Sequence, residues 1–369
     1  MIIRNGRVLL GTRFVQTDIR FDKYITGIGA AKCMEAEELD AAGCYVLPGL
    51  VDIHTHGAVG EDFSDGSQTG LQPMADYYAA IGVTSFLATT MTLGEGNLTA
   101  AMHSIRDFQP RGGAKCAGIH LEGPFLCYAR RGAQATDYLH RPDAELLARL
   151  NAASSGRVKL VTVACEEKGA MEFIRIASRI CTVSLGHTDA DYDTALLAFE
   201  AGASHVTHLY NCMPPLHHRQ PGVIGAALDA GVSVELICDG LHIHPAVVRA
   251  THAMFGDRCC FVSDSLGCAG MPDGDYELGG QMIRLRDGKA TLAGSATLAG
   301  AAVSLLDCLR NAVRFGIPLA DAAYAASTAP AAAVGLTDVG AIELGRCADL
   351  IVLDSDLNLK AVFVDGVRH

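Results

Sequence analysis

Eight apolar, β-branched runs recur along the chain, near residues 47–54, 83–90, 116–122, 158–165, 181–187, 204–209, 232–239 and 260–264. Segments of helical character separate them, among them 71–82, 144–153, 192–202 and 245–256, and several end in glycine as helix C-caps do. A strand that is apolar on both faces has to be covered on both faces. Continuous apolar strands alternating with helices therefore read as a parallel sheet with its helices outside. Eight such units close a (β/α)8 barrel, a fold of the α/β class; an open doubly wound sheet is the competing arrangement. The chain of 369 residues leaves room for a barrel of roughly 250 residues and an accessory piece.

The remainder falls at the two ends. Residues 1–46 read as short strands, beginning with Ile2-Ile3 and Arg7-Val8-Leu9-Leu10, and strand character returns at 347–353 and 361–364. The economical arrangement is a small accessory β-sandwich domain built from both termini, 1–46 plus 336–369, with the barrel occupying 47–335. The stretch 268–293, punctuated by Gly270, Gly274, Gly279, Gly280 and Gly288, reads as an inserted hairpin, and 295–315 as the longest helix.

The net charge of −12, with no basic run, argues against nucleic acid or an anionic membrane surface as a partner. No apolar run approaches the ~18 residues of a membrane span, and Asn5-Gly6 interrupts the first one before a signal-peptide core could form. Thirteen scattered cysteines, odd in number and without a CxxC pair, suit free thiols in a reducing cytoplasm.

Chemistry on such a barrel sits at the C-terminal ends of its strands. There the chain carries His54 and His56 after the first run, Glu122 after the third, His187 and His208 after the fifth and sixth, Asp239 with His242 after the seventh, and Asp264 after the eighth. In His54-Thr55-His56 the two imidazoles are spaced to leave a strand on the same side. Three N and O donors with a fourth position open to water describe a hydrolytic metal site, and Glu122, His187 and His208 meet that count. His54 and His56 could hold a second ion, with Glu122 as the bridge. The donors suit Zn²⁺, Fe²⁺, Co²⁺ or Mn²⁺, one or two per chain. Asp264 is left as general base and His242 as the group that polarises a scissile carbonyl. His120 and His205, inside their strands, read as satisfied core histidines, and His244 before Pro245 as a helix cap. Between 211 and 222 stands the one local cluster of donors, held by Pro214, Pro215 and Pro221, in which Arg219 could take a phosphate bidentately.

Together the motifs 47–57, His120-Leu121-Glu122-Gly123-Pro124-Phe125, Leu185-Gly186-His187-Thr188, Thr207-His208-Leu209-Tyr210-Asn211, Leu216-His217-His218-Arg219, Asp239-Gly240-Leu241-His242, Val262-Ser263-Asp264 and Leu292-Ala293-Gly294-Ser295 resemble the N-acetylglucosamine-6-phosphate deacetylases of the amidohydrolase superfamily. The resemblance spans nearly the whole chain. It implies a metal-dependent deacetylase releasing acetate from an N-acetyl-hexosamine 6-phosphate. It implies Glu122, His187 and His208 on the main metal, Asp264 as acid/base and His242 on the acetyl carbonyl. It also implies Asn211, the Cys212 backbone and Arg219 on the phosphate, the arginine coming from the neighbouring subunit of a homodimer. One position departs: Gly132-Ala133-Gln134 stands where the family usually reads Gly-Ala-His. That residue is expected to touch the sugar, and glutamine can donate and accept but not become cationic. A galacto-configured or other N-acyl substrate is the alternative that this departure opens.

Overall fold

The computed structural model describes residues 1–29 and 37–369. Eight parallel strands lie side by side in chain order: β1 (Leu50–Thr55), β2 (Val83–Thr90), β3 (Lys115–Glu122), β4 (Val158–Val163), β5 (Thr182–Leu185), β6 (His205–Val206), β7 (Ser233–Ile237) and β8 (Cys259–Val262). The connections carry helices such as Leu71–Ala80, Ala144–Ala153, Tyr192–Glu200 and Pro245–Phe255. Local chemistry starts several of them. Asp143 accepts from the backbone N–H of Glu145 and Leu146, Asp191 from that of Thr194, and His244 caps the helix that opens with Pro245.

The seam between β8 and β1 closes at the C-terminal end of the strands. Asp264 N donates to His54 O at 2.9 Å, and Ser265 forms a parallel bridge with Thr55. Deeper in the seam Ser263 N reaches Asp52 Oδ1 at 3.3 Å. At the opposite mouth the helix Thr328–Ala333 and the turn before it act as a plug: Val51 N donates to Ala326 O in the turn, and Thr182 Oγ1 to Ala333 O in the helix. The packed barrel is thus filled from its N-terminal end, and open space is left where the strands finish.

Both termini meet in a separate eight-stranded sheet. Its order runs Val367–Arg368, Leu359–Val364, Leu350–Leu353, Tyr45–Pro48, Ile2–Leu10, Arg13–Phe21, Ile25–Ile28, with Glu38–Asp40 beside Ile2–Leu10. Its own core includes Ile3, Val8, Phe21, Val46, Leu350 and Phe363, with the Phe21 and Phe363 rings edge to face at 5.2 Å. Residues 30–36 of the segment assigned to this domain lie outside the described residues. Lys115, at the start of β3, ties the two units together through Asp349 at 2.7 Å and Asp365 at 2.8 Å.

Three sequence expectations shift. The run 47–54 is two strands, one in each sheet, broken at Gly49, where a Cβ would stand 2.1 Å from Thr84 Oγ1. The inserted hairpin is a three-stranded meander, Gly274–Leu278, Gln281–Arg286 and Lys289–Leu292. The helix expected over 295–315 is only Leu305–Arg314, capped by Ser304. The chain before it is drawn to the seam instead: Ala301 N donates to Asp264 O at 2.7 Å.

Candidate active site

Strand geometry delivers the expected residues to one place. His56, Glu122, Gln134, His187, His208, Asn211, Cys212, His242 and Asp264 line one cavity of about 260 Å³, closed on another side by Leu278 of the meander and by Thr297, Leu298 and Gly300. His54 stands just behind, fully buried. His187, His208 and Asp264 leave their strands at φ 47°, 29° and 50°. Left-handed backbone at a residue other than glycine costs about 1–3 kcal/mol and persists where surrounding structure imposes it. Here it turns each side chain into the cavity.

Glu122 is at the centre. Its Oε1 lies 3.1 Å from His208 Nε2, 3.2 Å from His187 Nε2 and 3.4 Å from His54 Nε2, and its Oε2 lies 3.2 Å from His56 Nε2. Two three-residue groups, Glu122 with His187 and His208 and Glu122 with His54 and His56, therefore share one carboxylate. A metal fits this arrangement for a specific reason. His187 Nδ1 faces the Arg130 carbonyl at 2.9 Å and so carries the proton, which leaves Nε2 as a lone pair. That Nε2 stands 3.0 Å from His208 Nε2. His54 Nε2 is buried and has no hydrogen-bond partner among the described residues. Converging nitrogen lone pairs beside carboxylate oxygens call for a cation.

The electrostatics agree. Burial opposes charge on Glu122, but His54, His187 and His208 outweigh it and hold the carboxyl well below its usual range. Burial likewise opposes charge on His56, yet Asp264 and Glu122 raise it to about 9. The pocket stabilises positive charge between its carboxylates, as protons on imidazoles or as a divalent ion that replaces them.

Asp264 Oδ1 lies 3.4 Å from the Nε2 atoms of both His54 and His56 and borders the cavity. His242 is oriented by Asp239, whose carboxylate accepts its Nδ1–H at 2.6 Å and the backbone N–H of Leu241 and His242, each at 2.8 Å. That leaves His242 Nε2 as the free edge of the ring. Asn211 Nδ2 donates to His208 O at 3.2 Å, and Cys212 sits at φ 53°.

One residue is not disposed as the resemblance implied. Gln134 lines the cavity, but Nε2 donates to Glu122 Oε2 at 2.7 Å and Oε1 accepts from Thr92 N at 2.8 Å. Both polar ends are held by protein, so in this structure it steadies the Glu122 carboxylate and presents no free group to a sugar. Arg219 is exposed and faces a separate depression with Asp189, Asp191 and Asp193; its own chain does not bring it to the cavity. Of the other histidines, His120 pairs with Thr162 and His205 with Glu235, as core histidines do. Glu235 escaped the sequence reading altogether: it is a lone acid inside the seventh apolar run, and that was the signal available.

A family model described as the amidohydrolase family matches residues 45–368. A protein of Bacillus subtilis (strain 168) named N-acetylglucosamine-6-phosphate deacetylase is 39% identical over 342 residues, covering 90% of this chain and 86% of the relative. An N-acetylgalactosamine-6-phosphate deacetylase of Escherichia coli O157:H7 is 35% identical over 327 residues, covering 87% of this chain and 86% of the relative. Among solved structures, a variant of the Mycobacterium smegmatis N-acetyl-D-glucosamine-6-phosphate deacetylase in complex with N-acetyl-D-glucosamine-6-phosphate superposes with a TM-score of 0.93. It is 33% identical, over 100% of this chain and 98% of that one.

Proposed function

Because the chain belongs to the amidohydrolase family, among its N-acetylglucosamine-6-phosphate deacetylases, we infer that it hydrolyses the acetamide of N-acetyl-D-glucosamine 6-phosphate to acetate and the amino-sugar phosphate. The observation that carries this reading is Glu122, shared by two ligand groups at the open end of the barrel with Asp264 beside them. Glu122, His187 and His208 would hold the main metal, and His54 and His56 with Glu122 a second. The donor set accepts Zn²⁺, Fe²⁺, Co²⁺ or Mn²⁺. When bound, a divalent ion supplies Lewis acidity to the acetamide carbonyl and acidifies a water. Asp264 takes the proton of the attacking water and returns it to the departing amine. His242, fixed through Nδ1 by Asp239, turns Nε2 to the carbonyl oxygen, where charge builds up in the transition state.

Phosphate recognition belongs to Asn211 and the Cys212 backbone, which line the same cavity, and to Arg219 of a second subunit in a homodimer. The exposure of Arg219 away from its own cavity supports an arginine delivered to a neighbour. No helix among the described residues is long and apolar enough to cross a membrane. All twelve cysteines among the described residues are free, which favours the cytoplasm.

The test is acetate release from the gluco, galacto and manno N-acetyl-hexosamine 6-phosphates and from unphosphorylated N-acetylglucosamine. The reading requires the gluco 6-phosphate to have the highest kcat/KM. Equal turnover of the unphosphorylated sugar would refute the phosphate assignment, and preference for the galacto sugar would replace the substrate.

A further inference from the structure

Beneath the cavity, β7 carries one charged residue. Its neighbours Val234, Leu236 and Ile237 are apolar, and Glu235 is 0% exposed. A carboxylate buried this deeply persists only when donors surround it. Glu235 has three. Oε2 accepts from His54 Nδ1 at 2.8 Å and from the backbone N–H of His208 at 3.0 Å, and Oε1 faces His205 Nε2 at 3.3 Å.

We propose that Glu235 is the positioning residue of the metal centre, fixing His54 with Nε2 toward the cavity and clamping the turn that carries His208. This rests on the reading of the cavity as a metal site. An ionised carboxylate only accepts, so the nitrogen of His54 that faces it carries the proton. Nε2 is then the lone pair, and it is the atom left 3.4 Å from both Glu122 Oε1 and Asp264 Oδ1. A carboxylate behind a ligating histidine sets both ring orientation and basicity. The same oxygen holds the His208 amide, whose residue sits at φ 29°. One atom therefore adjusts one ligand in each of the two groups that share Glu122. His205, held from β6, keeps the carboxylate from rotating away.

The experiment loads metal-free parent, Glu235→Gln, His54→Asn and the double variant with Zn²⁺ at buffered free concentrations and counts bound equivalents. Glutamine keeps the shape and, with its oxygen at the Oε2 position, still accepts from His54 and His208, but it is neutral and so a weaker partner for the imidazole, and its NH₂ faces His205 Nε2. The parent takes two equivalents. Glu235→Gln weakens one of them at least tenfold, and it is the same equivalent that His54→Asn loses. In the His54→Asn background the Glu235 change costs the remaining equivalent less than it costs the first, because only the clamp on the His208 turn is left to lose. Two equivalents bound as tightly as in the parent, a loss undiminished without His54, or a parent that takes only one equivalent would each overturn the assignment. Nitrogen NMR of the imidazoles in the zinc-loaded parent needs no variant at 235: a His54 ring protonated on Nδ1 upholds it, and one protonated on Nε2 refutes it. Acetate release is measured on the same preparations. A parent that binds two zinc ions and releases no acetate would refute the deacetylase reading and leave Glu235 in its role.

Discussion

Asp264 is where a single residue has most to do. It ends β8 at φ 50°, its backbone closes the barrel through His54 and Ala301, and its carboxylate meets both histidines of the second ligand group. Burial opposes its charge, but His54 and His56 keep the carboxyl below its ordinary value, so at neutral pH it stands ionised and able to accept a proton. Asp264→Asn preserves shape and backbone contacts, so bound metal and thermal stability should match the parent while turnover falls by about 10²–10⁴. Turnover within a few-fold of the parent would mean that another group is the base. At this scale the sequence was legible wherever a side chain ended an apolar run: His54, His56, Glu122, His187, His208, His242 and Asp264 all border or back one cavity. It was not legible where function depends on what a side chain touches within a run, since Glu235 shows in sequence only as one acid among apolar residues.

Elements explain the other differences. The alternation of strands and helices carries over to the barrel because both faces of every strand are buried, a demand that sequence records directly. A helix over 295–315 satisfied the local pattern and lost to tertiary structure. Gly300, at φ 46°, lies where a Cβ would come within 2.8 Å of Asp264 O, so this segment packs against the strand end and cannot coil. The loop after β3 behaves similarly. Its Gln134 looked like a sugar contact from its place in the pattern, but the loop folds its side chain back between Thr92 and Glu122. Gln134→His should therefore lower kcat/KM by similar factors for the gluco, galacto and manno 6-phosphates and leave their ratios within threefold. A changed rank order would restore the residue as a selector, since a site built for one hydroxyl arrangement rejects another strongly.

For the molecule as a whole, the separation of Arg219 from its own cavity sets the question of assembly. In a two-fold dimer each subunit lends the other the same residue. Mixing Asp264→Asn with Arg219→Ala chains should then restore up to roughly a quarter of parent turnover, because half of randomly paired dimers are mixed and each holds one intact site. No recovery despite demonstrated subunit exchange would rule out sharing. Net charge and the absence of a basic run set broad limits on partners, and for an exposed arginine on a Pro-rich loop only the family resemblance, not local pattern, says which subunit it serves. The account depends above all on Glu122 as the carboxylate common to both ligand groups. Metal content and acetate release from N-acetyl-D-glucosamine 6-phosphate, measured together on the parent and on Glu122→Gln, test this most directly. The account predicts that the parent carries divalent metal and loses activity on chelation, and that Glu122→Gln, still folded, loses metal and activity together. A Glu122→Gln protein with full metal content and parental turnover would contradict it.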